Sequence, residues 1–502
     1  MLSKVIMVQG TTSHAGKSSL VVALCRIFND MGYKVAPFKS QNMSLNSFVT
    51  EDGAEIARSQ VVQALAARTK PIAEINPILL KPKGDASSQI ILMGKPFGDC
   101  NVNNYYRNFI PQLIPYVEQS LQKLQKKNDI VIIEGAGSPA EINLVDNEIA
   151  NMFIAKMVNA PVILIADIDR GGVFASLYGT VKLLKPEEQS LIEFFVINKF
   201  RGDIEILKPG IKLIEKLIGI KCNGVLPYIQ NLKLPAEDSL SLEQNETRGN
   251  LEVKVIHLPR ISNFTDFEPL SWEPEIRLSY VKSPDQLENA DLIVIPGTKN
   301  TIKDLMWMEK KGFTSKLRKL ERLNYLIVGI CGGFQILGKK IIDMSIEGDL
   351  NNTYKGLGFL PIQTEFLSYN KITRQIQAEI VGFHPFNGQL IDGYEIHMGR
   401  IIQEQGTISL LKVKDRTNPQ QELFRGAINA QKTIFGSLIH GFWDNNEFRG
   451  KFIKFLLDRK NIKRPIEKNH GYKETIEKNI QKLAKIVEMN LNINEIKRIM
   501  GI

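Results

Sequence analysis

The sequence predicts an α/β protein with two doubly wound, mainly parallel sheets and a basic helical C-terminal tail. Short uninterrupted apolar runs, typical of buried parallel strands, alternate with segments of helical apolar spacing. Two such series are separated by a stretch that contains Pro, Ser and Asn and few apolar runs. We therefore expect two domains, a linker and a tail, with these bounds: residues 1–228, 251–448, 229–250 and 449–502.

Composition places the chain among ordinary globular proteins. Its 502 residues are too many for one core, and 43% of them are hydrophobic and 24% charged. The four cysteines lack the paired spacing of a disulfide framework or a zinc site, which favours a reducing compartment. No apolar run approaches the length of a membrane span, and the N-terminal run is too short for a signal peptide. We expect a cytoplasmic protein without a membrane partner.

The formal charge of +10 is concentrated in the tail. Residues 449–502 hold 14 Lys and Arg against 6 Asp and Glu, a surplus of +8, so the other 448 residues carry only +2. No aromatic-basic platform accompanies this charge, and we expect no nucleic-acid partner. Apolar side chains of the tail fall on one helical face, which predicts a docked amphipathic helix: Ile476, Ile480, Leu483 and Val487.

The first apolar run leads into GTTSHAGKSSL, which has the context of a phosphate-binding loop. Gly16, Lys17 and Ser18 open a helix directly after a buried strand. Backbone N–H groups at the helix N-terminus would hold phosphates, Lys17 would reach the terminal ones, and the Ser18 hydroxyl would ligate Mg²⁺. Gly10 lies one residue earlier than in the usual motif, and Thr11 occupies the expected glycine position. The loop thereby resembles the dethiobiotin-synthetase-like branch of nucleotide-binding proteins.

The next two segments carry side-chain donors and acids. PFKSQNMSLNS (37–47) follows a short strand, at the end where open parallel sheets bind ligands. EDGAEIARSQVVQALAA (51–67) begins with acids and continues as an Ala-rich helix. Its Asp52 is either a Mg²⁺ ligand or a helix N-cap. Residues 76–85 are expected to form a loop.

An acid ends the next predicted strand. Glu134 follows the run 129–133, a position that suits the Mg²⁺ shell or, in the simpler interpretation, a carboxylate facing solvent. Further predicted strands of this sheet are residues 161–166 and 194–197. Three polar residues precede the helix after Glu134 and fit either caps or substrate contacts: Asp146, Asn147 and Glu148.

The second series contains a G-x-C-x-G turn between an apolar run and a segment of helical spacing. Glycines let a strained turn lift a nucleophile above the sheet, so Cys331 is the predicted nucleophile. The backbone N–H of Gly332 would stabilise an oxyanion, and Gly297, which follows another buried strand, would supply the second donor. The alternative interpretation is a buried structural cysteine.

A cysteine nucleophile needs a base, and the candidate is His440, which follows the strand-like run 433–439. His397 in GYEIHMG stays open as an alternative, because separation along the chain does not decide geometry. GICGGFQ with a C-terminal histidine resembles the class I glutamine amidotransferases, which release ammonia from glutamine through a cysteine thioester. By that resemblance, Gln335 contacts the bound glutamine.

Longer segments resemble the cobyric acid synthase family, from about residue 9 to 445. They are GTTSHAGKSS, PFKSQNMSLNS, EIARSQVVQALAA, VIIEGAGSPAEINL, DIDRGGVFASLYGT, PRISNFTDFEPL, PGTKNT, GICGGFQ and GYEIHMG. The resemblance implies ATP- and Mg²⁺-dependent amidation of the b, d, e and g carboxylates of adenosylcobyrinic acid a,c-diamide, through acyl phosphates and ammonia released at Cys331. Small molecules are then the expected partners: the corrinoid, L-glutamine and ATP. Asn198 matches the residue that reads the adenine edge in relatives.

Some points stay open. Class I amidotransferases often carry an acid two residues after the histidine, but Gly441 and Phe442 follow His440, so a third member is absent or comes from elsewhere, with Asp444 as the candidate. The nearest alternative is the related synthase that amidates the a and c carboxylates, followed by another amidoligase acting on a cell-wall precursor. The intact Lys17 and Cys331 disfavour a non-catalytic, nucleotide-switched regulator. The sequence is compatible with a homo-oligomer.

Overall fold

The structure is a computed structural model that describes residues 3–84, 87–101, 104–143, 148–237, 249–348, 350–414, 422–463 and 471–502. Strands of the N-terminal half are β1 (Lys4–Gly10), β2 (Val35–Phe38), β3 (Gln41–Met43), β4 (Ser47–Val49), β5 (Glu55–Ala57), β6 (Ile78–Gly84), β7 (Ser87–Leu92), β8 (Lys95–Asn101), β9 (Ile130–Glu134), β10 (Val162–Asp167), β11 (Ile192–Phe200) and β12 (Lys221–Pro227). Its α-helices are Lys17–Asp30, Arg58–Ala66, Ile110–Lys127, Met152–Met157, Val173–Leu183, Pro186–Gln189 and Ile204–Ile218.

The C-terminal half has more strands. They are β13 (Leu251–Ile256), β14 (Ile276–Val281), β15 (Leu292–Ile295), β16 (Ile327–Ile330), β17 (Lys340–Met344), β18 (Asn351–Lys355), β19 (Ile362–Phe366), β20 (Lys371–Ile380), β21 (Leu390–Met398), β22 (Arg400–Gln403), β23 (Leu411–Lys414), β24 (Glu422–Arg425), β25 (Ala427–Ile428), β26 (Ile434–Ser437) and β27 (Ile439–His440). The α-helices are Glu268–Ser271, Thr301–Lys310, Phe313–Arg322, Gly332–Leu337, Asn446–Arg459, Tyr472–Asn490 and Ile493–Met500.

Each half is built on a mainly parallel sheet, as the sequence predicts. Within the described residues, the first sheet has the order β12-β11-β10-β1-β9-β2 and all of its strands are parallel. The second has the order β14-β13-β15-β16-β26-β25, with only β25 antiparallel. The phosphate loop follows β1 and the cysteine turn follows β16, so each predicted site lies at the carboxyl ends of parallel strands.

Helices cover both faces of the first sheet. Successive strand residues point to opposite faces, so Val131 and Ile133 join one apolar cluster while Ile130 and Ile132 join another. Helix Ile110–Lys127 packs in the first cluster. Helix Lys17–Asp30 and part of the tail pack in the second.

The tail docks as an amphipathic helix, which confirms the prediction. Helix Tyr472–Asn490 buries the four apolar side chains named above and packs against helix Lys17–Asp30. Arg26 is fully buried beneath it, and its Nη2 donates to Glu477 Oε2 at 2.8 Å. The basic residues of the tail helix lie toward solvent on its other side. In the described residues, no helix has both the length and the hydropathy of a membrane span.

Two local predictions were wrong. Residues 78–84 form strand β6, where a loop was expected, because they pair with β3 and β7 in a small additional sheet. The segment that begins at Glu51 starts in the turn of a hairpin, β4–β5, continues as strand β5, and becomes helical only at Arg58. This hairpin packs on the C-terminal half, where Thr373 Oγ1 donates to Gly53 O at 2.8 Å and Tyr394 Oη donates to Ser47 O at 3.1 Å.

Candidate functional site

Cys331 lies on a strained turn between β16 and helix Gly332–Leu337. Its backbone has φ +53° and ψ −111°, a conformation that non-glycine residues rarely adopt. The glycines around it are required by close packing, since a Cβ on Gly333 would lie 1.9 Å from Ile295 O and a Cβ on Gly329 would lie 2.6 Å from Leu337 Cδ1. Strain at a single residue in an over-determined turn is a feature of functional sites. The backbone at Cys331 thus has the strained strand-to-helix geometry expected of a nucleophile elbow.

His440 joins Cys331 from strand β27. Its Nδ1 lies 2.6 Å from Asp266 Oδ2, and the Cys331 side chain is a further hydrogen-bonding partner of the ring. Burial alone would lower the pKa of His440, but the charges of Asp266 and Cys331 and hydrogen bonds to both raise it to about 10. The three side chains form a Cys–His–Asp arrangement.

The structure brings Asp266, not Asp444, to the histidine. Its second oxygen, Oδ1, accepts the backbone N–H of Gly441 at 3.0 Å, so both carboxylate oxygens are fixed on the histidine segment. Asp444 instead faces Arg58 Nη2 at 3.5 Å, and burial raises its pKa to about 6. The prediction of Asp444 was wrong. It assumed an acid close to His440 in sequence, whereas Asp266 comes from the distant short 3-10 helix Phe264–Phe267. The segment SNFTDFEPL that contains it was already among the family matches, and was the available signal.

The alternative base, His397, has other partners. Its Nε2 lies 3.9 Å from Glu395 Oε2, and its Nδ1 lies 3.4 Å from Met398 O. It lines the same small cavity of about 40 Å³ as Cys331 and His440. The Cys331 thiol itself contacts Ile396 O at 3.6 Å. The geometry favours His440 as the base.

The predicted oxyanion and glutamine residues, Gly297, Gly332 and Gln335, come from the segments that line this cavity. A Cβ on Gly297 would lie 3.2 Å from His440 Cε1, so this backbone passes close to the histidine. A Cβ on Gly332 would lie 2.6 Å from Thr298 Cγ2, so Gly332 packs against the loop that contains Gly297. Gln335 lines the cavity, but its amide is engaged within the protein. Its Oε1 accepts from Thr301 Oγ1 at 2.8 Å and its Nε2 donates to Met398 O at 2.9 Å.

The phosphate loop forms a second site in the N-terminal half. Lys17 curls back over the loop, where its Nζ donates to Thr12 O at 3.0 Å and to Gly137 O at 2.9 Å. Burial lowers the pKa of Lys17 to about 8, against the opposing charge of Glu134. Gly16 has φ +109°, and a Cβ there would lie 2.1 Å from Asn198 Nδ2. Asn198 Nδ2 donates to Ala15 O at 2.9 Å, which places this predicted nucleotide residue directly against the loop.

An acidic pair lies next to the loop. Ser18 Oγ donates to Glu134 Oε1 at 2.8 Å and to Glu237 Oε2 at 2.9 Å. The Lys39 ammonium bridges the same two carboxylates, at 2.8 Å and 3.0 Å. A hydroxyl and two carboxylates are hard oxygen donors of the kind that Mg²⁺ prefers, so this donor set fits the ion that the loop motif implies. Glu237 lies in the predicted linker and was missed by the sequence reasoning.

Other predicted residues lie elsewhere. Asp52 is exposed on the β4–β5 hairpin and accepts a hydrogen bond from Thr50 Oγ1, so the structure does not bring it to Ser18 and Glu134. Glu148 is a cap whose carboxylate accepts the backbone N–H groups that begin the following helix, including that of Phe153 at 3.1 Å. Asp146 and Asn147 lie outside the described residues.

The loop and the acidic pair open on one cavity of about 730 Å³. Its walls come from three parts of the chain. The N-terminal sheet supplies Lys17 and Lys39, the linker supplies Pro235 and Glu237, and the tail helix supplies Leu483 and Val487. This volume lies within the range of about 300–1,000 Å³ that is usual for small-molecule and cofactor sites.

Comparison with known proteins agrees with both halves. Residues 6–242 match the model of the CobQ/CobB/MinD/ParA nucleotide binding domain, and residues 252–448 match that of the CobB/CobQ-like glutamine amidotransferase domain. The cobyric acid synthase of Pelotomaculum thermopropionicum is 43% identical over all of this chain and 97% of its own. The chain belongs to the cobyric acid synthase family. A probable cobyric acid synthase of Methanothermobacter thermautotrophicus is 46% identical over the full length of both chains.

Membership in the cobyric acid synthase family explains why one chain contains both sites. The matched regions cover the phosphate loop with its acidic pair and the Cys331–His440–Asp266 centre, respectively. The similarity to these relatives extends through the tail, which forms part of the nucleotide cavity.

Proposed function

We propose that this protein is a glutamine-hydrolysing, ATP-dependent amidoligase that converts adenosylcobyrinic acid a,c-diamide to adenosylcobyric acid. The single observation that carries the proposal is full-length identity of 43–46% to cobyric acid synthases. It acts on the b, d, e and g side-chain carboxylates. The synthase that amidates the a and c carboxylates is the less favoured alternative. We place the protein in the cytoplasm, in keeping with its four free thiols.

At the glutaminase centre, the Cys331 sulfur attacks the side-chain amide carbon of glutamine. The backbone donors of Gly332 and Gly297 hold the oxyanion, and such a donor contributes about 10²–10³-fold in rate. His440 gives its proton to the departing nitrogen, the C–N bond breaks, and ammonia leaves behind a thioester. His440 then takes a proton from water, whose oxygen displaces Cys331 to give glutamate.

At the nucleotide site, a corrinoid carboxylate oxygen attacks the γ-phosphorus of ATP, ADP leaves, and an acyl phosphate forms. Lys17 and Lys39, which line the cavity, would hold the charge that develops on the transferred phosphoryl group, and Asn198, which lines it too, would contact the nucleotide. Mg²⁺, held by Ser18 and Glu134, would supply further neutralisation of phosphate charge when bound. Ammonia then displaces phosphate from the acyl carbon to leave the amide.

Phosphate release tests the proposal. With ATP, Mg²⁺ and glutamine present, we expect phosphate only when the corrinoid a,c-diamide is added, and no stimulation by cobyrinic acid that lacks the two amides. Lys17→Met should abolish release, whereas Lys182→Met, which changes an exposed lysine, should not. Release that is indifferent to the corrinoid would contradict the assignment.

A further inference from the structure

Three lysines surround the cavity beside Cys331. Lys299 follows β15 and lies next to the catalytic turn, Lys371 begins β20, and Lys81 reaches the same cavity from β6 of the N-terminal half. Together with Glu347, they line the walls around the nucleophile. The catalytic steps above use none of these four side chains.

The positive charges of this cluster exceed the negative charge that pairs with them. Glu55, which is fully buried, accepts from Lys81 Nζ at 2.6 Å through one oxygen and from Lys371 through the other. Within the described part of the chain, Lys299 Nζ donates to the neutral amide oxygen of Gln89, at 2.8 Å. Burial and the charges of Lys371 and Lys81 hold the pKa of Lys299 well below its ordinary value. Lys299 is half-buried and its acceptor is a neutral amide, so an anion that binds beside it would stabilise its charged form.

Glu347, the acid of this cavity, is the counterpart of Lys299: a cation beside it would stabilise its charged form. One carboxylate oxygen accepts the backbone N–H of Thr301 at 2.6 Å. Burial raises the pKa of Glu347 to about 7, opposed by that hydrogen bond and the charge of Lys299. An incoming ammonium group would favour its ionised form.

We infer that Lys299, supported by Lys371 and Lys81, binds the α-carboxylate of glutamine and that Glu347 binds its α-ammonium group. The inference rests on the proposed glutaminase reaction at Cys331. Free glutamine carries one anionic and one cationic group at the end opposite its amide, and the cavity offers one surplus cation and one acid around the nucleophile. Charged hydrogen bonds of this kind distinguish the free amino acid from other amides.

The arrangement has a consequence for the whole chain. Lys81, Glu55 and Gln89 belong to the N-terminal half, and they hold Lys371 and Lys299 in the amidotransferase cavity. The glutamine site is therefore complete only when the two halves are packed together. Glutamine recognition thus depends on the half of the chain that consumes the ammonia.

Full-length Lys299→Met, Glu347→Gln and wild type test the inference, with Lys310→Met as an exposed-lysine control. We measure KM and kcat for hydrolysis of L-glutamine, of 4-aminobutanamide, which lacks the α-carboxylate, and of glutaramic acid, which lacks the α-amino group. Lys299→Met should raise KM for glutamine about 10- to 100-fold and leave KM for 4-aminobutanamide unchanged. Glu347→Gln should likewise raise KM for glutamine and leave KM for glutaramic acid unchanged. Lys310→Met should leave KM and kcat for all three compounds unchanged.

Equal effects of Lys299→Met on glutamine and 4-aminobutanamide would overturn the inference, as would an unchanged KM for glutamine. Corrinoid amidation driven by ammonium salt reports whether each variant is folded, and Lys299→Arg, which keeps the charge, should restore much of the affinity for glutamine. If wild type does not amidate the corrinoid with ammonium salt, the proposed corrinoid substrate is wrong. The inference about the glutamine site is then still tested, because the hydrolysis measurements do not require the corrinoid.

Discussion

At the scale of single residues, the glutaminase centre depends on an acid that lies far from its partners in sequence. Asp266 holds the His440 ring through Nδ1 and the next residue through its backbone N–H. This fixes the tautomer and presents the other ring nitrogen toward Cys331. Tyr394 stacks on the same imidazole with ring centroids 5.4 Å apart, so the ring is held on its face as well as its edge.

Substitution of Asp266 tests this positioning role. Asp266→Asn should lower kcat for glutamine hydrolysis by about 10²-fold or more, because an amide no longer orients the ring or stabilises its charge. The carboxylate raises the pKa of His440, so its removal lowers that pKa, and the alkaline limb of the glutaminase pH profile should move to lower pH. Both are read from initial rates of glutamate formation between about pH 6 and pH 10.

The matched control is Asp444→Asn, since Asp444 contacts Arg58 and not the imidazole. It should leave the position of the alkaline limb unchanged. If the two variants shift the limb equally, Asp266 is not the residue that sets the protonation of His440. Ammonium-driven amidation should persist in both variants.

Residues whose partners are close in sequence could be predicted, and residues whose partners are distant could not. Cys331, Lys17 and Ser18 were predicted from local glycine spacing between a strand and a helix. Asp266 and Glu237 reach their sites through tertiary packing, so spacing relative to His440 or to the phosphate loop does not indicate them. Asp52 was predicted from an acidic residue near a presumed helix start, but the hairpin carries it away from the loop.

At the scale of secondary-structure elements, the tail helix is part of the N-terminal domain. Its apolar period predicts burial, but the contact surface follows only from the fold: helix Lys17–Asp30 lies beneath it, with Arg26 enclosed between them. Leu483 and Val487 also line the cavity beside the phosphate loop, so the tail helix forms part of its wall.

Substitutions on the two faces of this helix should differ. Ile480 is fully buried, so Ile480→Ala should lower the free energy of unfolding by about 2–5 kcal/mol and reduce the thermal midpoint. Lys485→Ala, on the exposed face, should leave the midpoint within error. Thermal unfolding followed by circular dichroism checks both, and equal midpoints for the two variants would contradict the docked helix.

The mispredicted elements share a physical cause. Strand β6 reads Ile-Leu-Leu-Lys-Pro-Lys-Gly, and its lysines and proline indicate a loop when the strand is considered alone. Pairing with β7 and the buried contact of Lys81 with Glu55 stabilise it as a strand. Likewise, β5 is extended because it pairs with β4. The Ala-rich sequence that follows β5 favours a helix, so the sequence alone does not indicate this strand.

At the scale of the whole molecule, the segment KSQNMSLNS joins the two sites. Ser44 Oγ donates to Glu237 O at 3.2 Å, beside the nucleotide cavity. Two residues further on, Asn46 accepts a hydrogen bond from Thr265 Oγ1 at 2.8 Å, next to Asp266 in the sequence. One segment thus contacts both the acidic pair and the turn that carries Asp266. The two halves form a single enzyme whose sites share structural supports.

A mass-spectrometric time course tests directly whether ammonia released at Cys331 amidates the corrinoid. Wild type and Cys331→Ala are incubated with ATP, Mg²⁺ and adenosylcobyrinic acid a,c-diamide, with either glutamine or an ammonium salt as the nitrogen source. We predict that wild type adds four amides to the corrinoid from either source, and that Cys331→Ala adds them only from ammonium. Failure of both proteins to amidate the corrinoid from either source would contradict it.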